Sequence, residues 1–234
     1  MWPSQHARKA SEKEWKHFIL DSPRLHFALQ DLALFLQKYD TLPSPCNIFN
    51  MFRMIRPSQV KVVFVGQSPY PGYCPVSKVH YACGPAFFPS PGCVTTPATL
   101  RNIIQEASRD LSKPVTRSPS DMLLDWIDQG VMLLNASLTL GTECPTYLED
   151  HSVLWEEPMH EIITAIATTF DPVFVLVGKD AWRFESSVSA SYCIKVSHPV
   201  ARKETSTPWS GSCVFSRVSL AMIEKGLMPI RWLP

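Results

Sequence analysis

The chain has 234 residues, 45% of them hydrophobic and 18% charged, with a net charge of +1. That mixture supports an ordinary globular core and excludes a disordered or coiled-coil chain. The near-zero charge also excludes long-range attraction of a polyanion by the protein as a whole, so any nucleic-acid contact has to come from a local basic face. No apolar run approaches the roughly 20 residues of a membrane span, and the segment Met1 to Trp15 is polar. The expectation is a soluble, intracellular protein without membrane contact, folded as one domain over 1–234 with a flexible segment at 1–14.

Taken in chain order, helical patterns fall at about 11–20, 23–38, 97–111, 121–129, 153–168 and 214–225. Ser11 with Glu14 has the form of a capping box, Ser22-Pro23 and Thr96-Pro97 place a cap before a proline at the first helical position, and Gly130 and Gly226 stand where helices stop. Between these patterns lie four short apolar runs: Val62 to Val65, Val131 to Leu134, Val173 to Val177 and Cys193 to Val196. Continuous rather than alternating hydrophobicity means strands covered on both faces. Strands that alternate with helices make an α/β fold, a three-layer arrangement with a central four-stranded parallel sheet flanked by helices.

Seven cysteines, Cys46, Cys74, Cys83, Cys93, Cys144, Cys193 and Cys213, are an odd number without a C-x-x-C pair, which suits free thiols in a reducing compartment. Cys74, His80, Cys83 and Cys93 have zinc-ligand chemistry but none of the short paired spacings of zinc sites, so no metal is expected.

Each apolar run gives way to a polar or turn-forming segment: Gly66-Gln67-Ser68-Pro69-Tyr70 after the first, Asn135 after the second, Gly178-Lys179 after the third and Ser197-His198-Pro199 after the fourth. In an open parallel sheet, ligands bind beyond the carboxyl ends of the strands, so these segments should converge on one site. Gln, Tyr, Asn and His at its rim suit a planar heterocycle. Asn135 carries a donor and an acceptor in one plane, and without further context it could equally cap the segment after its strand.

Gly66-Gln67-Ser68-Pro69-Tyr70 resembles the water-activating loop of uracil-N-glycosylases. Val131 to Leu140 resembles their strand that ends in the uracil-reading asparagine, and Ser197-His198-Pro199 the start of their catalytic loop. With Ile48 to Arg53 and Pro229-Ile230-Arg231-Trp232, the resemblance runs from about Trp15 to Trp232. It implies flipping of uracil out of single- or double-stranded DNA and hydrolysis of its N-glycosidic bond, as the first step of base excision repair, without metal or cofactor. His198 is implied as the catalytic donor to uracil O2. Asn135 is implied to read the O4 and N3–H edge, Tyr70 to exclude the thymine methyl, Phe87 (or Phe88, were the loop shifted by one) to stack on the base, and Gln67 to donate a backbone N–H. DNA contacts are implied at Pro97, Gly178, Lys179 and Arg202, the last at the position of the family's intercalating leucine.

Ser68 departs from the pattern, for it stands where the family has an aspartate that orients and helps deprotonate the attacking water. A hydroxyl cannot act as a base near neutral pH, so a reduced rate is expected. Asp150, beside His151, is the nearest substitute carboxylate by register, although both residues fit a solvated loop as well. Pro71 and the strings His198-Pro199-Val200-Ala201-Arg202 and Val177-Gly178-Lys179 are similar to those of large DNA viruses, so the expected location is the nucleus or, if the protein is viral, a host nucleus or cytoplasm. Two other readings arise from Ser68. One is a glycosylase fold retained as a DNA-binding or replication processivity subunit with a replication-protein partner, and the other is specificity for a different damaged base.

Overall fold

The computed structural model describes residues 11, 13–16, 22–36, 40–142, 147–188, 192–201 and 206–234. Four strands form one parallel sheet in the order β3-β2-β5-β6: β2 (Val62–Gly66), β3 (Val131–Asn135), β5 (Val173–Val177) and β6 (Cys193–Val196). All four are the runs expected from sequence, and β2, β3 and β5 are buried at every position. The register aligns Gly66 with Asn135 and Val177 with Val196, so the carboxyl ends of the strands finish together.

Helix α3 (Ala98–Leu111), helix α4 (Pro119–Gln129) and helix α8 (Val214–Glu224) pack together on the sheet, with α4 beside β3 and α8 beside β5 and β6. Their core is aromatic: Trp232 stands 5.1 Å from Phe215, 5.2 Å from Trp126 and 6.0 Å from Phe64 of β2, ring centre to ring centre. The Trp126 indole N–H donates to the Trp232 carbonyl at 2.9 Å, which ties the last residues of the chain into this layer. Elsewhere, helix α1 (Pro23–Leu36) packs on α6 (Glu156–Phe170), and the edge strand β3 is covered, with the Leu133 N–H 3.3 Å from the Met51 sulfur and its carbonyl accepting from the Ala86 N–H at 3.0 Å. A covered edge has no free ladder for another chain to join. Among the described residues no helix is long and apolar enough to cross a membrane.

The elements depart from expectation in five places. Helix α4 starts at Pro119 rather than 121, because Ser118 accepts from the Asp121 N–H at 3.2 Å and the proline fills the first turn. Pro97 is the N-cap residue of α3, one position outside the helix. The stretch read as one helix over 153–168 is two, α5 (Tyr147–Leu154) and α6. Ser11 is no cap, since its hydroxyl donates across the chain to the carbonyls of Phe52 and Ile55 at 2.8 and 2.5 Å. The short strands β1 (Thr41–Leu42) and β4 (Leu140–Gly141) pair antiparallel as a separate ribbon, and helices α2 (Asn50–Met54) and α7 (Lys179–Trp182) complete the elements used below.

Candidate active site

Beyond the carboxyl ends of β2, β3 and β6 lies a pocket of about 220 Å³, smaller than the roughly 300–1,000 Å³ of sites for drug-sized ligands. Gln67, Ser68, Tyr70, Phe87, Asn135 and His198 all line it, so the sheet brings together the six residues expected at the catalytic and base-binding positions.

Hydrogen bonds between strand ends build its floor. The Ala136 N–H donates to the Gly66 carbonyl at 2.8 Å and the Ser137 N–H to the Gln67 carbonyl at 3.0 Å, locking the loop after β2 to the residues after β3. Asn135 is 3% exposed. Its amide takes part in no hydrogen bond among the described residues and opens onto the pocket. Its donor and its acceptor are therefore both available to a ligand in the pocket.

Gly66 makes this approach feasible. A Cβ there would lie 2.7 Å from Phe87 Cζ and 3.0 Å from Asn135 Oδ1, so only a residue without a side chain lets the ring and the amide meet. Phe87 has φ +63°, a left-handed backbone that a bulky residue adopts only when its surroundings impose it. One constraint is visible: the Tyr70 hydroxyl donates to the Phe87 carbonyl at 3.0 Å. Burial raises the Tyr70 pKa and keeps that donor protonated, and its ring is braced edge-on by Tyr81 at 5.9 Å. Phe88 is buried in the core outside the pocket, which selects Phe87 as the ring that faces it.

His198 stands two residues beyond the end of β6. Burial lowers its pKa below the usual histidine value against the opposing pull of Asp180, so the imidazole is neutral at neutral pH. The Val200 N–H approaches Nδ1 at 3.4 Å, a long contact that favours the tautomer with its proton on Nε2. Gly178 (φ +87°) packs against the same residue, and a Cβ there would stand 3.3 Å from His198 Cβ.

Ser68 is half-buried in the wall, and no aspartate or glutamate lines the pocket among the described residues. The Asp150 side chain lies outside the described residues, as does all of Arg202. His151, read as part of a solvated loop, is instead buried on α5 with Nδ1 2.8 Å from the Thr139 hydroxyl, away from the pocket. Of the expected DNA contacts, Lys179 is exposed at the start of α7, whereas Gly178 and Pro97 are buried. Thr99 and Cys83 also line the pocket, and neither is among the site residues expected from sequence. Thr99 sits in the first turn after Thr96-Pro97, so the helix-start signal there could have found it. Burial pushes the Cys83 thiol up to about 12, which leaves it uncharged. Cys74 and Cys93 lie close enough to interact, while Cys74 Sγ is also 3.3 Å from Thr95 Oγ1 and Cys83 Sγ 3.5 Å from the Phe88 carbonyl. Among the described residues no three His, Cys, Asp or Glu side chains form a group that could hold a metal ion.

No family model matches the chain. Individual relatives do. A uracil-DNA glycosylase of Desulfitobacterium hafniense is 31% identical over 228 residues, covering 94% of this chain and 96% of the relative. One from Acinetobacter baumannii is 32% identical over 230 residues, covering 94% and 92%. The solved structure of mimivirus uracil-DNA glycosylase superposes with a TM-score of 0.78 at 25% identity, covering 95% of this chain and 87% of that one. Sequence, fold and the convergence of strand ends on one small pocket therefore agree, and the chain belongs to the uracil-DNA glycosylase family.

Proposed function

We propose that the pocket receives a uracil flipped out of DNA and that the named side chains divide the work of releasing it. The observation that carries this reading is Asn135, whose amide is open to a base-sized pocket beside Phe87 and Tyr70 and makes no hydrogen bond to another described residue. Its donor and acceptor match O4 and N3–H of uracil and clash with the 4-amino group of cytosine. Phe87 stacks on the base, a contact worth roughly 1–3 kcal/mol. The Tyr70 ring, fixed through Phe87, fills the space a 5-methyl group would need.

As the bond between N1 and C1′ breaks, its electron pair stays on uracil and positive charge builds on the sugar. His198, neutral and protonated on Nε2, donates to O2 as that charge develops, so the interaction strengthens towards the transition state. Water then bonds to C1′ and must lose a proton. Ser68 orients this water and cannot take the proton, so the departing uracil anion is the base available in the pocket. Loss of a general base costs about 10²–10⁴ in rate, a fraction of the roughly 10⁶ or more that enzymes supply, so slow turnover on uracil-containing DNA is expected.

The test is release of uracil from a labelled single-stranded oligonucleotide under enzyme excess. The native chain should cleave slowly, Ser68→Asp faster, and His198→Ala at least about 10²-fold more slowly than the native chain. A His198→Ala variant as fast as the native chain sinks the assignment. If the native chain binds DNA and releases nothing while Ser68→Asp cleaves, the protein is instead a DNA-binding subunit.

A further inference from the structure

Helix α3 reaches the loop that carries His198 with three side chains on one face, spaced three and four residues apart. Thr99 lines the pocket. Asn102, one turn on, donates from Nδ2 to the Pro199 carbonyl at 2.8 Å, and its own backbone carbonyl accepts from the Trp209 indole N–H at 3.1 Å. Glu106, a further turn along, accepts from the Gly211 and Cys213 N–H groups at 3.1 and 3.2 Å and from the Ser212 hydroxyl at 3.3 Å.

Glu106 is 3% exposed. Arg109 adds donors to it at 2.9 and 2.6 Å. Burial alone would raise its pKa, but these donors outweigh burial and hold it below the usual glutamate value, so it stays an ionised acceptor. A carboxylate suits this place because it offers about four acceptor sites and no donor. The near end of the loop is held differently. Pro199 has no N–H, so its carbonyl is its one backbone polar group, and Asn102 takes it immediately after His198.

We propose that Asn102 is a positioning residue for uracil excision: through the Pro199 carbonyl it sets where the His198 imidazole stands, while Glu106 pins the far end of the same loop to the same helix. This rests on the role of His198 given above. Asn102 touches neither base nor sugar, and its effect passes entirely through the histidine.

The experiment is a double-mutant cycle on single-turnover uracil release, with His198→Ala, Asn102→Ala and the combined variant. Asn102→Asp keeps the volume and loses the donor. Displacing a catalytic group by about 1 Å costs up to about 10²-fold, so each Asn102 variant should release uracil roughly 10- to 100-fold more slowly. Affinity for an oligonucleotide with a non-cleavable 2′-fluoro-deoxyuridine should stay within about threefold of native, a loss in kcat rather than in KM. In the His198→Ala background, Asn102→Ala should cost nothing further. Losses that multiply, or an Asn102→Asp variant at native rate, overturn the inference while leaving the role of His198 intact. A His198→Ala variant at native rate overturns that role, and the inference with it. If Asn102→Ala fails to fold, the isosteric Asp variant takes its place in the cycle.

Discussion

Gly66→Ala tests the claim that Phe87 and Asn135 meet because β2 ends without a side chain. The new methyl would lie 2.7 Å from Phe87 Cζ and 3.0 Å from Asn135 Oδ1, against ordinary contacts that begin at 3.4 Å. The ring must therefore retreat by about 0.7 Å, or the loop and strand end must separate by a comparable amount. Overpacking of this kind costs about 1–3 kcal/mol, a fall in thermal midpoint of roughly 2–12 °C for a chain of this size. The functional cost should be larger in proportion, because a shift approaching 1 Å at a base-holding residue costs up to about 10²-fold in rate. Single-turnover uracil release measured beside a thermal melt separates the two. A variant that melts within a degree of native and cleaves at native rate would refute the geometry of the pocket floor.

The remaining predictions concern protonation, the pocket gate and the core. Because burial places the His198 pKa below its unfolded value of about 6.5, the neutral imidazole persists above that value, and both cleavage and this residue's share of stability decline as pH falls from about 6.5 through the folded pKa. A pH series of single-turnover rates checks this, and an acid limb centred above pH 6.5 would contradict it. Tyr70→Phe removes the donor 3.0 Å from the Phe87 carbonyl and should lower stability by about 1–3 kcal/mol while thymine stays excluded; release of thymine by this variant would show that the hydroxyl, not the ring, is the gate. Trp232→Ala removes a ring within 5.1–6.0 Å of three aromatic neighbours and should cost about 3–5 kcal/mol in urea unfolding. Its rate at a temperature where it remains folded should match native.

The parallel sheet was legible because strands covered on both faces leave unbroken apolar runs, and Asn135 and His198 were legible because they stand at or beyond the ends of such runs. Periodicity needs more residues than β1 and β4 possess, two each, so that ribbon left no signal. Ser118-Pro119 carries the same start signature as Ser22-Pro23 and marks the beginning of α4 two residues before the apolar pattern does. The left-handed backbone of Phe87 and the close approach at Gly66 are consequences of contacts between segments distant in sequence, which no local pattern encodes. Glu106 is the clearest case. Nothing in the local sequence singles it out, because its loop partners lie 105 to 107 residues away and bury it.

Under the proposed function, the absence of a carboxylate among the described pocket residues would bear on the electrostatics of the reaction as well as on its proton transfers. An aspartate would stabilise the positive sugar and orient water, and it would also repel the uracil anion and favour the charged form of a nearby imidazole. With Ser68 in the wall, no described pocket side chain opposes charge on the leaving group, and burial keeps His198 neutral with little opposition beyond Asp180. Ser68→Asp should therefore do two things at once: speed turnover by supplying the base, and raise the pKa of His198 so that the acid limb moves to higher pH. A faster variant whose acid limb stays in place would mean that the two groups do not sense each other's charge, and that the gain comes from handling of water alone.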